Sequence, residues 1–260
     1  MDIINYGQVA NSYARSREDI PVSLIDSLYI RGIFLDGKKV ADIGCGTGVL
    51  TRKLAIRKAE MVGVDLSTEM LEEAKTLNRL KNFQIPYYVG TSENTGLAAN
   101  HYDMVTVMRA WHWFDREKTL EEIKRILKAQ GTLIVIDSGF LKDSDVVNKT
   151  IGVVSNLFEG GLNPSGTKAK SKQMINDFPV EWFEEWSNSG FELRDFYKLN
   201  YSVSFTKETW LERIESVSWL ARLDSETRKN ALNTLAEILT DQEPYAIPHE
   251  CNVCILKLRE

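Results

Sequence analysis

Short apolar runs alternate with amphipathic segments through the first half of the chain. Five runs have the length and composition of buried strands, at residues 39–43, 61–65, 86–90, 102–108 and 132–137. Between them, apolar residues recur every three to four positions, which predicts helices over 49–58, 68–80 and 116–129. Strands that are apolar on both faces and alternate with helices indicate a parallel sheet covered by helices on both sides.

This alternation breaks down after residue 137. Residues 138–180 contain paired glycines, the turn residues 163–166 and a basic stretch at Lys168, Lys170 and Lys172. We expect helices flanking a flexible loop here, covering one end of the sheet. Further along, helical spacing recurs at 180–188, 207–223 and 225–239. Residues 191–205 alternate as one long strand or two short ones, and 252–258 is a closing strand.

A glycine turn follows the first predicted strand, in the segment Val-Ala-Asp-Ile-Gly-Cys-Gly-Thr-Gly at 40–48. Ligands of open α/β sheets bind beyond the carboxyl ends of the strands, where glycine lets the backbone approach them closely. A dinucleotide-binding turn would place its third glycine at position 49, which is valine, and the Gly-Lys-Ser/Thr of a phosphate-binding Walker loop is absent. Asp65 ends the second predicted strand, where a carboxylate accepts both hydroxyls of a ribose. The pattern predicts an adenosyl ligand without a pyrophosphate.

These segments resemble the class I S-adenosylmethionine (SAM)-dependent methyltransferases. The similarity rests on the glycine turn, on Val-Gly-Val-Asp-Leu-Ser at 62–67, Met-Leu at 70–71, Gly-Thr-Ser-Glu at 90–93, and Phe114. It implies a Rossmann-like α/β domain with seven mostly parallel strands in the order 3-2-1-4-5-7-6, the last strand antiparallel. A single domain of residues 1–260 would then comprise an N-terminal helical lid (1–35), a SAM-binding half (36–137), a helical cap inserted after strand five (138–180) and a C-terminal half (181–260).

The same resemblance implies contacts with the cofactor. Gly44, Cys45 and Gly46 would line its methionine part. Asp42 would reach its amino group, directly or through water, while Asp65 binds the ribose and Leu66 lies against the adenine. Other implied contacts are Gly48, Met70, Glu93, Met108, Arg109, Ala110 and Trp113.

One position departs from the family pattern. Thr91 and Ser92 stand where the family usually has Asp-Ala, so the acidic partner of the adenine amino group is missing. The Thr91 hydroxyl or the Ser92 backbone would replace it.

A narrower resemblance is to the trans-aconitate methyltransferase-like, small-molecule branch. It rests on Ala-Trp-His-Trp-Phe-Asp at 110–115, on residues 216–224, and on Tyr-Ala-Arg-Ser-Arg at 13–17. By this analogy Tyr6, Tyr13 and Arg17 close the site, and Arg17 faces the methionine carboxylate.

Candidate chemistry for methyl transfer lies after the fourth predicted strand. A carboxylate acceptor needs no base, whereas a hydroxyl or a protonated amine does. His112 is the candidate catalytic base, and the alternative is a packed histidine that steers Trp111 and Trp113. Those aromatic rings either contact a cation or belong to the core. Four basic residues would either pair with an acidic acceptor or simply be solvated. They are Arg109, Lys168, Lys170 and Lys172.

Composition narrows the function classes. The 43% hydrophobic fraction supplies a sizeable core, and a net charge of −5 disfavours nucleic acid as a partner. No apolar run approaches about 20 residues and no basic leader precedes one, so we expect neither a signal peptide nor a membrane span. Three cysteines without a framework spacing suit a reducing cytoplasm. Cys251 and Cys254, three apart on a predicted strand, would face opposite sides, so we expect no metal site.

We therefore expect a cytoplasmic, SAM-dependent methyltransferase, a monomer or homodimer, that methylates an oxygen or nitrogen of a small molecule and releases S-adenosylhomocysteine. One alternative is a methyltransferase acting on RNA or protein, which the missing Asn-Pro-Pro-Tyr-type motif and the negative charge disfavour. The other is a non-catalytic SAM-binding protein. The intact glycine turn supports cofactor binding but does not distinguish such a protein from an enzyme.

Overall fold

A seven-stranded sheet forms the centre of the protein in the computed structural model, which describes residues 6–17, 19–164, 166–239 and 242–259. The strands, numbered within this sheet, are β1 (Lys39–Ile43), β2 (Glu60–Asp65), β3 (Tyr87–Val89), β4 (Tyr102–Met108), β5 (Leu127–Phe140), β6 (Phe191–Phe205) and β7 (Tyr245–Leu258). Their order is β3-β2-β1-β4-β5-β7-β6. Strand β7 is antiparallel to both β5 and β6, and the other neighbouring pairs are parallel. The predicted Rossmann-like fold and strand order are confirmed.

Helices cover both faces of this sheet. They are α1 (Ala10–Ser16), α2 (Val22–Ile30), α3 (Val49–Ile56), α4 (Thr68–Leu80), α5 (Arg116–Ile126), α6 (Asp145–Ser155), α7 (Val180–Asn188), α8 (Lys207–Glu215), α9 (Ser218–Ala221) and α10 (Ser225–Ile238). Short 3-10 turns occur at Tyr6–Val9, Trp111–Trp113 and Gly166–Lys170. Every helix in the described ranges is too short or too polar to span a lipid bilayer.

Two apolar cores lie on opposite sides of the sheet, because successive strand residues point to opposite faces. In β5, Leu133 and Val135 join the core under α5 and α7, whereas Ile134 and Ile136 join the core under α2 and α3. In β7, Cys254 lies in the first core and Cys251 in the second. The two cysteines therefore face opposite sides, as their spacing predicted.

Several element boundaries differ from the expected ones for identifiable reasons. The apolar spacing of α5 continues through Leu127, but Leu127 pairs with Tyr102 and so begins β5. The predicted helix 207–223 is interrupted at residues 216–217, and α3 ends two residues early, before Lys58 at φ 63°. Residues 191–205 form one strand with a register shift between Leu193 and Asp195.

The closing strand is twice as long as expected. Apolar alternation marks only 252–258, yet the strand begins at Tyr245 because Ala246–Glu250 pairs fully with β6. This extension brings His249 beside Tyr201, a placement that matters for the site described below.

The segment between β5 and α7 lies over the carboxyl end of the sheet. Helix α6 packs with α8 and α10 around a third core that includes Trp210 and Leu235. The 3-10 turn Gly166–Lys170 packs on the turn Trp111–Trp113 that follows β4. A two-strand hairpin, Met174–Ile175 with Phe178–Pro179, completes the segment. At the other end of the chain, α1 packs on α8 and α4.

Candidate active site

The glycine turn after β1 is fastened to the neighbouring strand. The amides of Gly44 and Cys45 both donate to the Val64 carbonyl, at 2.8 and 3.1 Å. Gly44, with φ 69°, lies so near the segment after β4 that an added Cβ would stand 2.6 Å from the Cβ of Ala110. Glycine is required here because the turn combines a left-handed backbone with a close approach.

Gly48 has a different surrounding. Its φ is 74° and it precedes α3, but an added Cβ would stand 2.2 Å from the Tyr87 hydroxyl. Gly48 therefore packs against the protein's own β3, not against the space above the turn.

Asp65 connects the ends of β1 and β2. Its carboxylate accepts hydrogen bonds from the Gly46 amide at 2.8 Å and from the Ser67 amide at 2.9 Å. Burial raises the pKa of Asp65, and these backbone amides oppose the shift. Each carboxylate oxygen retains a lone pair for a further donor. Leu66, 55% exposed, and Met70, whose Cε would stand 3.4 Å from a Cβ on Gly46, flank this position.

Asp42 is buried beneath the turn with 1% of its surface exposed. Its two oxygens accept hydrogen bonds from Thr51 at 2.6 Å and from Thr106 at 2.8 Å. Burial raises the pKa of Asp42 to about 6, in spite of these two hydroxyl donors. Asp42 also lines a cavity above the turn, so one carboxylate both fixes the ends of β1 and β4 and contributes to the cavity wall.

That cavity brings together residues from distant parts of the chain. Its walls are Tyr13, Asp42, Gly44, Cys45, Val49, Leu50, Met108 and Arg109. Six of these eight were predicted from the sequence; Val49 and Leu50 were not. The two follow the glycine turn directly at the start of α3, where side chains turn back toward the strand end.

The N-terminal segment closes over this region. Tyr6 meets Tyr13 and Trp113 edge to face, with ring centroids 6.2 and 6.3 Å apart. Burial raises the pKa of Tyr6 to about 12. Arg17 stacks over Tyr13 at 4.8 Å, but its Nε and Nη2 both donate to Ser216, each at 2.9 Å. Two of its nitrogens are thus bound to the end of α8.

The geometry agrees with what known proteins show. Residues 41–135 match the family model described as a methyltransferase domain. An uncharacterised methyltransferase of Mycobacterium bovis is 34% identical over 130 residues, half of each chain. A ubiquinone biosynthesis O-methyltransferase of Haemophilus ducreyi is 28% identical over 221 residues, 78% of this chain and 87% of that protein. The crystal structure of YcgJ from Bacillus subtilis superposes with a TM-score of 0.56 at 20% identity, covering 90% of this chain and 97% of that one.

The chain is therefore similar to the class I, SAM-dependent methyltransferases, and residues 41–135 carry the match to the methyltransferase domain. It spans about half the length of the mycobacterial relatives that it matches.

The residues at the turn fit the cofactor of this methyltransferase family. Gly44 and Gly46 leave the floor of the cavity free of side chains, and the exposed Leu66 offers an apolar surface beside the Asp65 carboxylate. Methionine, ribose and adenine would thus follow one another from the cavity across Asp65 to Leu66. Ala110, at 8% exposure, lies close to Gly44.

Residues 91–93, which are expected at the adenine amino group, form their own network of hydrogen bonds. Ser92 is buried, donates to Glu93 at 2.9 Å and accepts from Thr119 at 2.9 Å. Glu93 also accepts from the Asp115 amide at 3.1 Å. Thr91 is exposed and accepts from the Asn94 amide. The Ser92 and Glu93 side chains are thus bonded to the start of α5, and only the Thr91 hydroxyl stands at the surface.

His112 lies in the turn after β4, 8% exposed. Its Nδ1 is 3.9 Å from an Asp137 oxygen, and has no hydrogen-bond partner among the described residues. Burial lowers the pKa of His112 to about 4; Asp137 opposes this shift and Lys168 adds to it. The imidazole is therefore neutral near pH 7 with a free lone pair, and the lowered pKa makes it a weaker base than an exposed histidine. His101, by contrast, lies at the far end of the sheet, with its Nε2 3.1 Å from the Lys39 ammonium.

Of the three lysines in the basic stretch, Lys168 alone is buried. Its ammonium lies 2.5 Å from carboxylate oxygens of Asp137 and Asp177. Gly166 approaches so near that a Cβ would stand 2.2 Å from the His112 carbonyl oxygen. The Thr167 hydroxyl donates to the same carbonyl at 3.2 Å. This segment is therefore fixed on the turn that carries His112.

Sequence reasoning missed a buried polar cluster behind Arg109. Asp19, Tyr201, Arg213 and His249 meet there from four elements separated widely in the chain. One signal was available: Arg213 shares a helical face with Trp210 and Ile214, where an apolar residue is the usual choice. His249 carried no such signal, because its strand extends beyond the apolar run.

Proposed function

We propose that this protein transfers a methyl group from SAM to an oxygen or nitrogen atom of a small molecule. The observation that carries the proposal is one cavity, walled by Tyr13, Asp42, Gly44 and Arg109, at the carboxyl ends of β1 and β4. The Asp65 carboxylate is bonded to the same glycine turn. Ligands of open α/β sheets bind at this edge.

SAM, when bound, supplies a methyl group already activated by its sulfonium. The chain's own residues then need only to orient the partners and exclude water. Asp65 orients the ribose from a carboxylate fixed by two backbone amides. Tyr6, Tyr13 and Trp113 cover the cavity and keep water out.

His112 takes the proton of a hydroxyl acceptor in this proposal. Its support is a buried, neutral imidazole in the turn after β4, two residues beyond Ala110, whose Cβ lies close to Gly44 of the cavity wall. A carboxylate acceptor would leave His112 without this function, since no proton is released.

The two segments that flank the domain complete the site. We assign residues 6–17 and 19–35 to the lid, because this segment carries Tyr6, Tyr13 and Arg17. We assign residues 138–180 to the cap, because Thr167 in this segment is bonded to the His112 carbonyl. A net charge of −5 favours a small molecule over nucleic acid. The relative from Haemophilus ducreyi, a ubiquinone biosynthesis O-methyltransferase, is consistent with this choice.

Calorimetric titration and a labelled-methyl assay test the proposal. The purified protein should bind SAM and S-adenosylhomocysteine but not NAD, and should transfer label from methyl-tritiated SAM to a member of a panel of small acids, alcohols and amines. Binding of NAD without SAM would contradict the proposal. Tight SAM binding with label found only in RNA or protein would favour the macromolecular alternative.

A further inference from the structure

Three buried arginines converge on a single carboxylate beside the cavity. Arg109 Nη2 lies 2.8 Å from Asp19 Oδ1, and Arg213 Nε lies 3.1 Å from Asp19 Oδ2. The side chains of Arg109, Arg213 and Asp19 are 8%, 2% and 1% exposed. Arg17, also buried, adds a third guanidinium to the same group. Arg109 belongs at once to this cluster and to the cavity wall.

This cluster has an excess of positive charge. Three guanidinium groups face the Asp19 carboxylate, and Arg109 also interacts with Asp137, which shares Lys168 with Asp177. Four cations thus stand against three carboxylates. Burial raises the pKa of Asp19, but Arg109, Arg213 and Arg17 together bring it down to about 2, so Asp19 is ionised. Buried positive charges without a counter-charge are strongly unfavourable, and a site designed to bind an anion is a common reason for them.

The cluster also presents polar atoms without partners. Among the described residues, no hydrogen bond reaches Arg213 Nη1 or His249 Nε2, although both atoms are buried, and the Tyr201 hydroxyl interacts with Ser138. Tyr201 lies beside Arg109 and Ser138, and its ring stands 5.3 Å from that of His249. Buried donors are nearly always satisfied in folded proteins, so Arg213 Nη1 indicates a missing oxygen ligand. His249 is no such donor, because its Nδ1 donates to the Ile247 carbonyl and its Nε2 is then an acceptor.

The cofactor does not supply the missing negative charge. The carboxylate of SAM, which the family resemblance places at Arg17, comes with an ammonium and a sulfonium, so SAM binding leaves Arg109 and Arg213 without a further counter-charge. The compensating anion must therefore come from the methyl acceptor.

We propose that the acceptor is a small carboxylic acid whose carboxylate binds to Arg109, Arg213 and Tyr201. The inference rests on the proposed function and narrows its substrate class. Guanidinium groups bind carboxylates through paired hydrogen bonds, and the tyrosine hydroxyl adds a third donor.

The bound carboxylate is a point of attachment and not the atom that is methylated. Methylation of this group would remove its charge as the transition state forms, and the arginines would then stabilise the reactant more than the transition state. The methyl group therefore goes to a second oxygen or nitrogen of the acid. If that atom is a hydroxyl, the C–O bond forms as the S–CH₃ bond breaks, and its proton passes to His112.

The test uses calorimetry on protein saturated with S-adenosylhomocysteine. Succinate and benzoate are compared with succinamide and benzamide, which have similar shapes but no charge, and with inorganic phosphate. We expect saturable binding of an acid and none of its amide. Equal or absent responses to acid and amide would overturn the proposal, and so would phosphate binding more tightly than either acid.

Two variants locate the binding, with one matched control. Arg213→Lys keeps the charge but loses the planar donor pair, and should weaken acid binding about ten-fold or more. Tyr201→Phe removes only the hydroxyl, and should weaken it about three- to ten-fold. Tyr197→Phe, on the same strand but bonded to Ser27 at 2.8 Å, should leave it unchanged. Equal effects of the two tyrosine variants would contradict the assignment.

Two readouts separate this inference from the proposed function. Unaltered affinity for S-adenosylhomocysteine in both site variants is expected, whereas a wild-type protein that binds no SAM at all would refute the proposed function itself. In the labelled-methyl assay, the product should keep its label in mild alkali. Release of labelled methanol would reveal a methyl ester and overturn the claim that the carboxylate is only an attachment point.

Discussion

The Asp65 carboxylate accepts a hydrogen bond from the Gly46 amide at 2.8 Å, so the acid that ends β2 holds the turn that follows β1. The same carboxylate is the expected ribose ligand. Position 65 thus combines a structural hydrogen bond with a binding contact, and its replacement should affect both the shape of the turn and the affinity for the cofactor.

Asp65→Ala should weaken SAM binding about 10- to 100-fold, the usual effect of losing hydrogen bonds to a charged group. Calorimetry measures this directly. Asp36→Ala is the matched control, because Asp36 makes only an exposed ion pair with Lys58. An unchanged dissociation constant in Asp65→Ala would remove Asp65 from the ribose site.

His112→Gln should lower the rate of methyl transfer to a hydroxyl acceptor about 100-fold, a typical contribution of a general base. The variant retains a polar side chain, so packing around Trp111 and Trp113 is largely kept. Single-turnover rates separate the chemical step from acceptor binding. A rate within a few-fold of the wild type would leave His112 as a packing residue.

Protonation of His112 should destabilise the fold in mild acid. Burial lowers its pKa from 6.5 to about 4, so between these values the unfolded chain binds more protons than the native protein. The free energy of unfolding therefore falls as the pH decreases from 6.5 to 4, by about 3 kcal/mol at this residue. Urea unfolding at pH 7 and pH 4.5 should show a smaller decrease in His112→Gln than in the wild type. Parallel losses in both proteins would contradict the expectation.

Asp19→Asn should destabilise the protein by about 3 to 5 kcal/mol, since it leaves Arg109 and Arg213 buried without their shared carboxylate. Denaturant titration at pH 7 measures the loss. Asp26→Asn is the control, because Asp26 pairs with Arg57 at the surface, where both side chains are about half exposed. Similar stabilities of the two variants would show that the cluster is better solvated than its burial indicates.

Gly166→Ala should loosen the cap. The new Cβ would stand 2.2 Å from the His112 carbonyl oxygen, in a backbone with φ 59°. Gly160→Ala introduces the same kind of backbone strain, at φ 83°, but meets no atom within 4 Å. Limited proteolysis should cut the cap faster in Gly166→Ala than in Gly160→Ala. Equal cutting rates would mean that the close contact does not hold the cap in place.

The part of this structure that the sequence predicted best is the half with continuous apolar strands. The bounds of β1, β4 and α4 follow from periodicity alone, because each element is buried on a regular set of positions. The strand order required the resemblance to a family, since periodicity says nothing about which strands are neighbours. The cofactor contacts expected from the glycine turn and Asp65 stay a prediction, and six of the implied residues line one cavity.

The buried polar cluster behind Arg109 was much less predictable. Asp19, Arg213 and His249 lie in three separate segments, and only their three-dimensional pairing gives them meaning. The first 3-10 turn and α1 offer little apolar periodicity, and His249 lies in a part of β7 whose pairing partner determines its conformation. Long-range contacts of this kind leave no mark in a local pattern.

The attachment of the N-terminal segment to α8 has a kinetic consequence. Arg17 is bonded to Ser216 and Asp19 to Arg213, while Tyr13 forms part of the cavity wall. If SAM enters by displacement of this segment, the same movement separates Asp19 from Arg213 and dismantles the anion site. We therefore expect a compulsory order of binding, in which the methyl donor enters first, the acid follows, and the demethylated donor leaves last.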